Sequence, residues 1–213
     1  MECLPAEKQL HQIYLDNRDR FAPLEYHPTW GGIGPFVTGD ADVRCSYYGI
    51  TVTPTAVFDG AVTNLPYTSW PNLFATRKKV ASPLNIKLKI TAAGDNFTLR
   101  ATITRKGSMS STGLRFHCAV TEQNLSYSGN SYHHVLRKMY PNATGTAFTI
   151  NDNETKQVTV AGTLGGSWAK SNLHFVVWVQ NVNAKTVYQA KLATWGEVAV
   201  EPSSVGRVKA LFR

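Results

Sequence analysis

Leu84-Asn85-Ile86-Lys87-Leu88-Lys89-Ile90 alternates apolar and polar residues without a break, and Phe97-Thr98-Leu99-Arg100-Ala101-Thr102-Ile103 repeats the pattern after the turn Ala93-Gly94-Asp95-Asn96. A period of two is that of a strand with one face on a core and the other in water. A slip of one residue would turn every side chain over. The expectation is therefore strict: Leu84, Ile86, Leu88, Leu99 and Ile103 point inward, while Lys87, Lys89 and Arg100 face solvent. Downstream, Leu114–Val120 reads as a third strand with Phe116 and Cys118 inward. Further strands are expected around 146–150, 156–160, 173–180 (Phe175 and Val177 inward) and 186–194. Seven or eight short strands separated by turn signals predict an antiparallel β-sandwich over about 83–196.

Upstream the pattern differs. Leu4, Leu10, Ile13 and Tyr14 fall near one face of a helix over 4–19, with Pro5 tolerated in its first turn. Phe21–Tyr26 reads as a short strand, Gly31-Gly32-Ile33-Gly34-Pro35 as a loop, and Ala41–Tyr48 as a helix. Thr51–Phe58 reads as a strand entered through Pro54 and closed by Asp59-Gly60, a hairpin signal. Helix, strand, helix, strand and hairpin within 60 residues make an α/β pattern. The chain then divides into an α/β part (1–63), a linker (64–82) holding Pro66, Pro71 and the basic run Arg77-Lys78-Lys79, the sandwich (83–196), and a C-terminal tail (197–213).

Hydrophobic residues make up 43% of the 213, charged residues 17%, and aromatics 11%. That is a core-forming composition, and its many Thr, Ser, Asn, Val and Tyr residues suit β structure outside the cytoplasm. The net charge is +8. The cations are scattered and no nucleic-acid motif accompanies them, so no nucleic-acid partner is expected; an anionic glycan is compatible with the charge. No stretch approaches the roughly 20 apolar residues of a membrane-spanning helix, and no apolar leader follows Met1.

The first 60 residues resemble the thioredoxin superfamily, and in particular the exported, thioredoxin-like outer-membrane-protein family of bacteria in which a β-sandwich follows. Cys3-Leu4-Pro5-Ala6 at a helix start resembles the second cysteine of a C-x-x-C motif, Leu24-Glu25-Tyr26-His27 the next strand, and Arg44-Cys45-Ser46-Tyr47-Tyr48-Gly49-Ile50 with Thr53-Pro54-Thr55-Ala56-Val57-Phe58-Asp59-Gly60 the turn that bears the cis-proline. His134-Val135-Leu136-Arg137-Lys138-Met139 and Phe175-Val176-Val177-Trp178-Val179-Gln180-Asn181 also resemble the family. The resemblance implies an incomplete thioredoxin-like domain followed by an immunoglobulin-like β-sandwich, an extracytoplasmic location at the cell surface or outer membrane, and a site formed by Cys3 with Thr53 and a cis Pro54.

A dithiol cycle needs an attacking thiolate and a resolving thiol. Counting three positions back from Cys3 runs past Met1, as does the strand that precedes the motif, so the sequence supplies at best the resolving cysteine. Cys118 reads as a buried thiol and Cys45 as structural or free. His27, His117, His133, His134 and His174 fall at no recognised metal spacing; His117 and His174 point outward from their strands and are candidates to become neighbours. No metal or cofactor is expected. The four Asn-x-Ser/Thr matches, beginning at Asn96, Asn124, Asn142 and Asn153, are about what such a composition supplies.

Two functions remain open. One is a structural or interaction protein of the cell exterior without complete dithiol chemistry; the other is an extracytoplasmic thiol–disulfide redox protein. Protein partners are expected in either case, including other copies of this chain. Val205–Arg213, extended in propensity and rich in apolar residues, is a candidate strand to fill the gap in a neighbouring copy's sheet.

Overall fold

The computed structural model describes residues 3–31 and 34–200. Its larger part is the sandwich. One sheet orders four strands as β10-β4-β3-β13: β3 is Leu84–Ala93, β4 Asn96–Arg105, β10 Thr155–Thr163 and β13 Ala199–Val200. The other orders β12-β11-β5-β8, with β9 also on β5; β5 is Leu114–Glu122, β8 Val135–Tyr140, β9 Thr146–Ala147, β11 Leu173–Asn181 and β12 Val187–Thr194. Pairing is antiparallel except for β13, which lies parallel to β3. The sandwich therefore reaches Val200, past the boundary expected at 196.

The alternation that defines β3 and β4 holds. Leu84, Ile86, Leu99 and Ile103 are buried, Leu88 is half-buried, and Lys87, Lys89 and Arg100 are exposed. Phe116, Cys118, Phe175 and Val177 come from the facing sheet to meet them. With full burial of a large apolar side chain stabilising by about 1.5–3 kcal/mol, this layer holds the domain together.

The sheet of β5, β8, β11 and β12 is buried on its other face as well. Every residue of β11 is buried, and all of β5 except Arg115. The outward residues Ala119, Leu136, Met139, Val176 and Trp178 form a second core with Ala41, capped by Ala22, Leu24 and Tyr26. The N-terminal part lies on this sheet.

That part contains α1 (Cys3–Asp16), α2 (Gly39–Tyr48), α3 (Trp70–Arg77) and the hairpin of β1 (Ala56–Phe58) and β2 (Ala61–Thr63). Thr38 caps α2 by accepting a hydrogen bond from Ala41 N at 3.2 Å, and Gly49 ends it in the left-handed conformation, φ 74°. Asp40 in its first turn accepts from Met139 N at 2.7 Å, which fixes α2 on β8.

Three expectations change here. Residues 64–82 are more than a linker: α3 lies within them, and its Trp70 and Phe74 form a third core with Ala6, Ile13 and Phe58. Phe21–Tyr26 narrows to one bridge, in which Glu25 N donates to His134 O at 2.8 Å and Leu136 N to Glu25 O at 2.9 Å, parallel to β8. The strand expected over 51–58 begins only at Ala56. The short hairpin of β6 (Leu125–Tyr127) and β7 (Asn130–Tyr132) precedes β8.

Candidate functional site

A cavity of about 880 Å³ lies between the N-terminal part and the sandwich. It is lined by residues of the segments 21–28 and 53–60, by Val176, Trp178 and Leu192 of the sheet, and by Leu10, Trp70 and Phe74 of the helices.

Two of the lining segments present strand edges. Among the described residues β1 pairs only with β2, so its second edge has no partner strand. In the other segment Glu25 spends its backbone groups on β8. In extended chain the neighbouring backbone groups alternate to the opposite side. Leu24 and Tyr26 thus turn theirs away from β8, and both line the cavity; neither has a backbone hydrogen-bond partner among the described residues.

Cys3, the first residue of α1, stands in the wall beside the Thr53 loop, half-buried, with its Sγ 3.6 Å from Thr53 Oγ1. The Thr53–Pro54 peptide bond is cis. The three sequence-predicted site residues are thus together at one corner of the cavity. All three cysteines are free thiols. Burial pushes the Cys45 thiol up, with nearby Asp42 adding to the effect, and burial alone pushes Cys118 to about 12. Neither is an effective nucleophile near neutral pH, because the thiolate is the reactive form.

Sequence reasoning missed Arg44. Only 3% exposed, its guanidinium lies over the rings of Tyr47, Tyr48 and Trp178 at 4.8–5.6 Å. It donates to Tyr48 Oη at 3.1 Å and Gln180 Oε1 at 2.8 Å, and it lines the cavity. Its Nε has no hydrogen-bond partner among the described residues, nor has Nε1 of the lining residue Trp70. Burial raises the Tyr26 hydroxyl to about 12 despite this nearby cation. The available signal was a lone Arg among Tyr47, Tyr48 and an outward Trp178, which no periodicity marks.

His117 and His174 do not become neighbours. His117 pairs across β11 with Trp178 and stacks on it (centroids 4.8 Å apart, planes 10°), whereas His174 pairs with Thr121, four positions along. Their outward faces are buried under the N-terminal part. Among the described residues no group of three or more His, Cys, Asp or Glu is arranged to hold a metal ion, and no helix is long and apolar enough to cross a membrane. The proposed donor segment Val205–Arg213 lies outside the described residues.

The family model for Outer membrane protein Omp28 matches residues 41–197. Among solved structures, HBP35 of Porphyromonas gingivalis is similar at 14% identity and a TM-score of 0.64, covering 78% of this chain and 59% of that one. A domain of the outer membrane lipoprotein Omp28 from the same organism is similar at 13% identity and a TM-score of 0.43, over 58% of this chain and 93% of that one. The chain spans 59% of the HBP35 structure it matches. At this identity the likeness to HBP35 concerns the fold alone. No curated protein matches.

Proposed function

We propose that this chain, which belongs to the Omp28 outer membrane protein family, is an extracytoplasmic interaction protein whose thioredoxin-like part holds an extended peptide segment and does not complete dithiol chemistry. The observation that carries the reading is a cavity lined by two segments whose strand edges have no partner among the described residues. Its size suits one strand. Strands lie about 4.8 Å apart, layers about 10 Å, and five to six residues extend about 17–20 Å, so a strand in its layer takes up roughly 800–950 Å³. The cavity measures about 880 Å³. A guest strand would give the edges of Leu24, Tyr26 and β1 their missing partners and cover the apolar lining from the helices.

The occupant we assign is the C-terminal segment of a second copy, Val205–Arg213, which carries Val205, Val208, Ala210, Leu211 and Phe212. The contact is head-to-tail, so it builds chains and not a closed dimer. Deleting 205–213 and measuring mass by light scattering tests it. Assemblies that collapse to a folded monomer on deletion support self-assembly; a monomer both before and after rules out this occupant. Quenching or shift of Trp70 and Trp178 emission by a synthetic 205–213 peptide reports the cavity directly, and an unchanged spectrum at millimolar peptide counts against it.

One observation favours the redox reading instead: Cys3 stands at a helix start 3.6 Å from Thr53 Oγ1, beside the cis bond to Pro54. A mixed disulfide between Cys3 and a peptide in the cavity is compatible with both readings. Only turnover separates them. Reduction of insulin disulfides by this chain, abolished by Cys3→Ser, would make it an oxidoreductase.

A further inference from the structure

We propose that the contact between α1 and the sandwich is an acid-released clamp built from His11, His133, His134 and His174. His11 lies on α1, His133 and His134 on the connection from β7 to β8, and His174 on β11. The His11 ring stacks on that of His133, with centroids 3.7 Å apart and planes 10° from parallel. His11 Nδ1 lies 3.2 Å from His134 Nε2. Gln123 Nε2 lies 3.0 Å from His134 Nδ1 and 3.4 Å from His174 Nδ1. Tyr14 meets the His134 ring edge-on at 4.5 Å.

The hydrogen bonds require neutral rings. Gln123 Nε2 is a donor, so the facing Nδ1 atoms of His134 and His174 accept, and both rings carry their proton on Nε2. His134 Nε2–H then donates to His11 Nδ1. A further proton on Nδ1 of any of the three would face an N–H group. The stacked pair of His11 and His133 would become two adjacent cations.

The charged surroundings offset this only in part. From α1 the cluster faces Arg18, Lys8 and Glu7; from the turn after β12 it faces Glu197, which favours His174 protonation; from the Phe21–Tyr26 segment Glu25 acts on Glu7. Glu7 accepts a hydrogen bond from His133 N at 3.0 Å, and burial, reinforced by Glu25, raises its carboxyl to about 7. It loses its charge over the range in which an imidazolium would need it, but because closure raises its own proton affinity it favours the closed contact as pH falls from 7 toward 4.5 and so opposes the effect of one ring. Burial first, then neighbouring cations or histidines, lowers His11 to about 4 and His134 to about 2; burial and Arg18 lower His174 to about 4, against the pull of Glu197.

Each ring binds a proton more weakly in the closed contact than at the ordinary value of 6.5, so the rings' contribution to closure is full above 6.5 and weakens as pH falls from 6.5 toward 4; His11, His134 and His174 against the single Glu7 carboxyl leave a net loss of closure on acidification. Each coupled proton changes the opening equilibrium by up to about tenfold per pH unit in that window. The sandwich keeps its own core and remains folded, while α1, which forms part of the cavity wall through Ala6 and Leu10, swings free. This bears on the peptide-holding reading only through that wall; the clamp is independent of what the cavity holds.

Hydrogen exchange of the full chain, read as protection factors, is the test. Between pH 7.5 and 4.5 the amides of α1 should lose at least about thirtyfold in protection, while those of β11, which report unfolding of the sandwich, stay more protected than α1 at every pH. In the double variant His11→Phe/His174→Gln the α1 loss should shrink at least about tenfold. Unchanged α1 protection in the wild type, or an equal loss in a folded double variant, overturns the clamp. If the variant does not fold, imidazole titration of the wild type decides: three of these four rings titrating below pH 5 supports the proposal, and ordinary values near 6.5 refute it. Peptide binding is measured at pH 7.5, so failure of either idea is seen separately.

Discussion

His117 lies flat on Trp178, centroids 4.8 Å apart, in the layer where the N-terminal part meets the sandwich. It is fully buried, and neither ring nitrogen has a hydrogen-bond partner among the described residues. Burial, with Arg44 and Arg115 adding to it, lowers this imidazole to about 3. The folded state therefore resists its protonation, and stability falls with pH from 6.5 downward, by up to about 3 kcal/mol by pH 4 from this ring alone. His117→Phe keeps the stack and removes an orphaned N–H, a group that costs about 1–3 kcal/mol when buried unpaired. Urea unfolding at pH 7 and pH 4 should show a smaller pH dependence in the variant than in the wild type; an equal loss in both would assign the acid sensitivity elsewhere.

Arg44 belongs to the same layer, its guanidinium over the Trp178 ring. Its fork joins α2 to Gln180 of β11 while its face covers Tyr47, Tyr48 and Trp178. Arg44→Ala leaves the fully buried Gln180 Oε1 without this donor and opens a void against three rings, which should cost about 2–4 kcal/mol. Arg44→Lys should recover less than half of it, because an ammonium cannot reproduce the planar fork. Chemical denaturation of the three proteins checks both figures.

The sandwich was legible in the sequence because β3 and β4 have one wet face, which leaves alternating lysines between the core residues. β8 was not, since Val135-Leu136-Arg137-Lys138-Met139-Tyr140 is packed on both sides and shows no clean alternation. The same double burial explains why His117 and His174 read as outward yet are covered. α3 escaped notice because two buried aromatics among Pro71, Asn72 and Thr76 make a weak helical stripe. Cys3, Thr53 and Pro54 were brought together in the sequence reading by the family resemblance and by no local pattern, and they lie side by side in the fold. Arg44 and the four histidines were not, because distant segments bring them together and only packing decides that they meet.

Gly60 follows Asp59 in the β1–β2 turn at φ 93°, where L side chains are strained. A Cβ there would lie 1.7 Å from Lys185 O on the turn between β11 and β12. Backbone cannot yield as a flexible side chain does, so Gly60→Ala should push the hairpin off the sandwich and cost more than about 2 kcal/mol. Gly94→Ala, at φ 62° with open space around it, is the control and should cost about 1 kcal/mol. Near-equal midpoints for the two variants would mean that the hairpin is not held against Lys185.

The three thiols should react in three different ways. Cys3 is half-buried at the rim of the cavity, Cys45 is buried on α2 with its thiol pushed up by burial and Asp42, and Cys118 is fully buried in the sandwich core with a thiol near 12. Reaction with a disulfide reagent requires both access and thiolate. At pH 8 the native protein should release one equivalent of chromophore rapidly from Ellman's reagent, and Cys3→Ser should abolish that phase. Cys45 should follow slowly, at a rate that rises as α2 is loosened by Arg44→Ala, since Arg44 precedes it on the helix and ties it to Gln180. Cys118 should react only with unfolding of the sandwich, at the same denaturant concentration that exposes its tryptophans. Two rapid equivalents in the native state would place Cys45 within reach of solvent beside Cys3, and would give this scaffold the second thiol that a redox cycle needs.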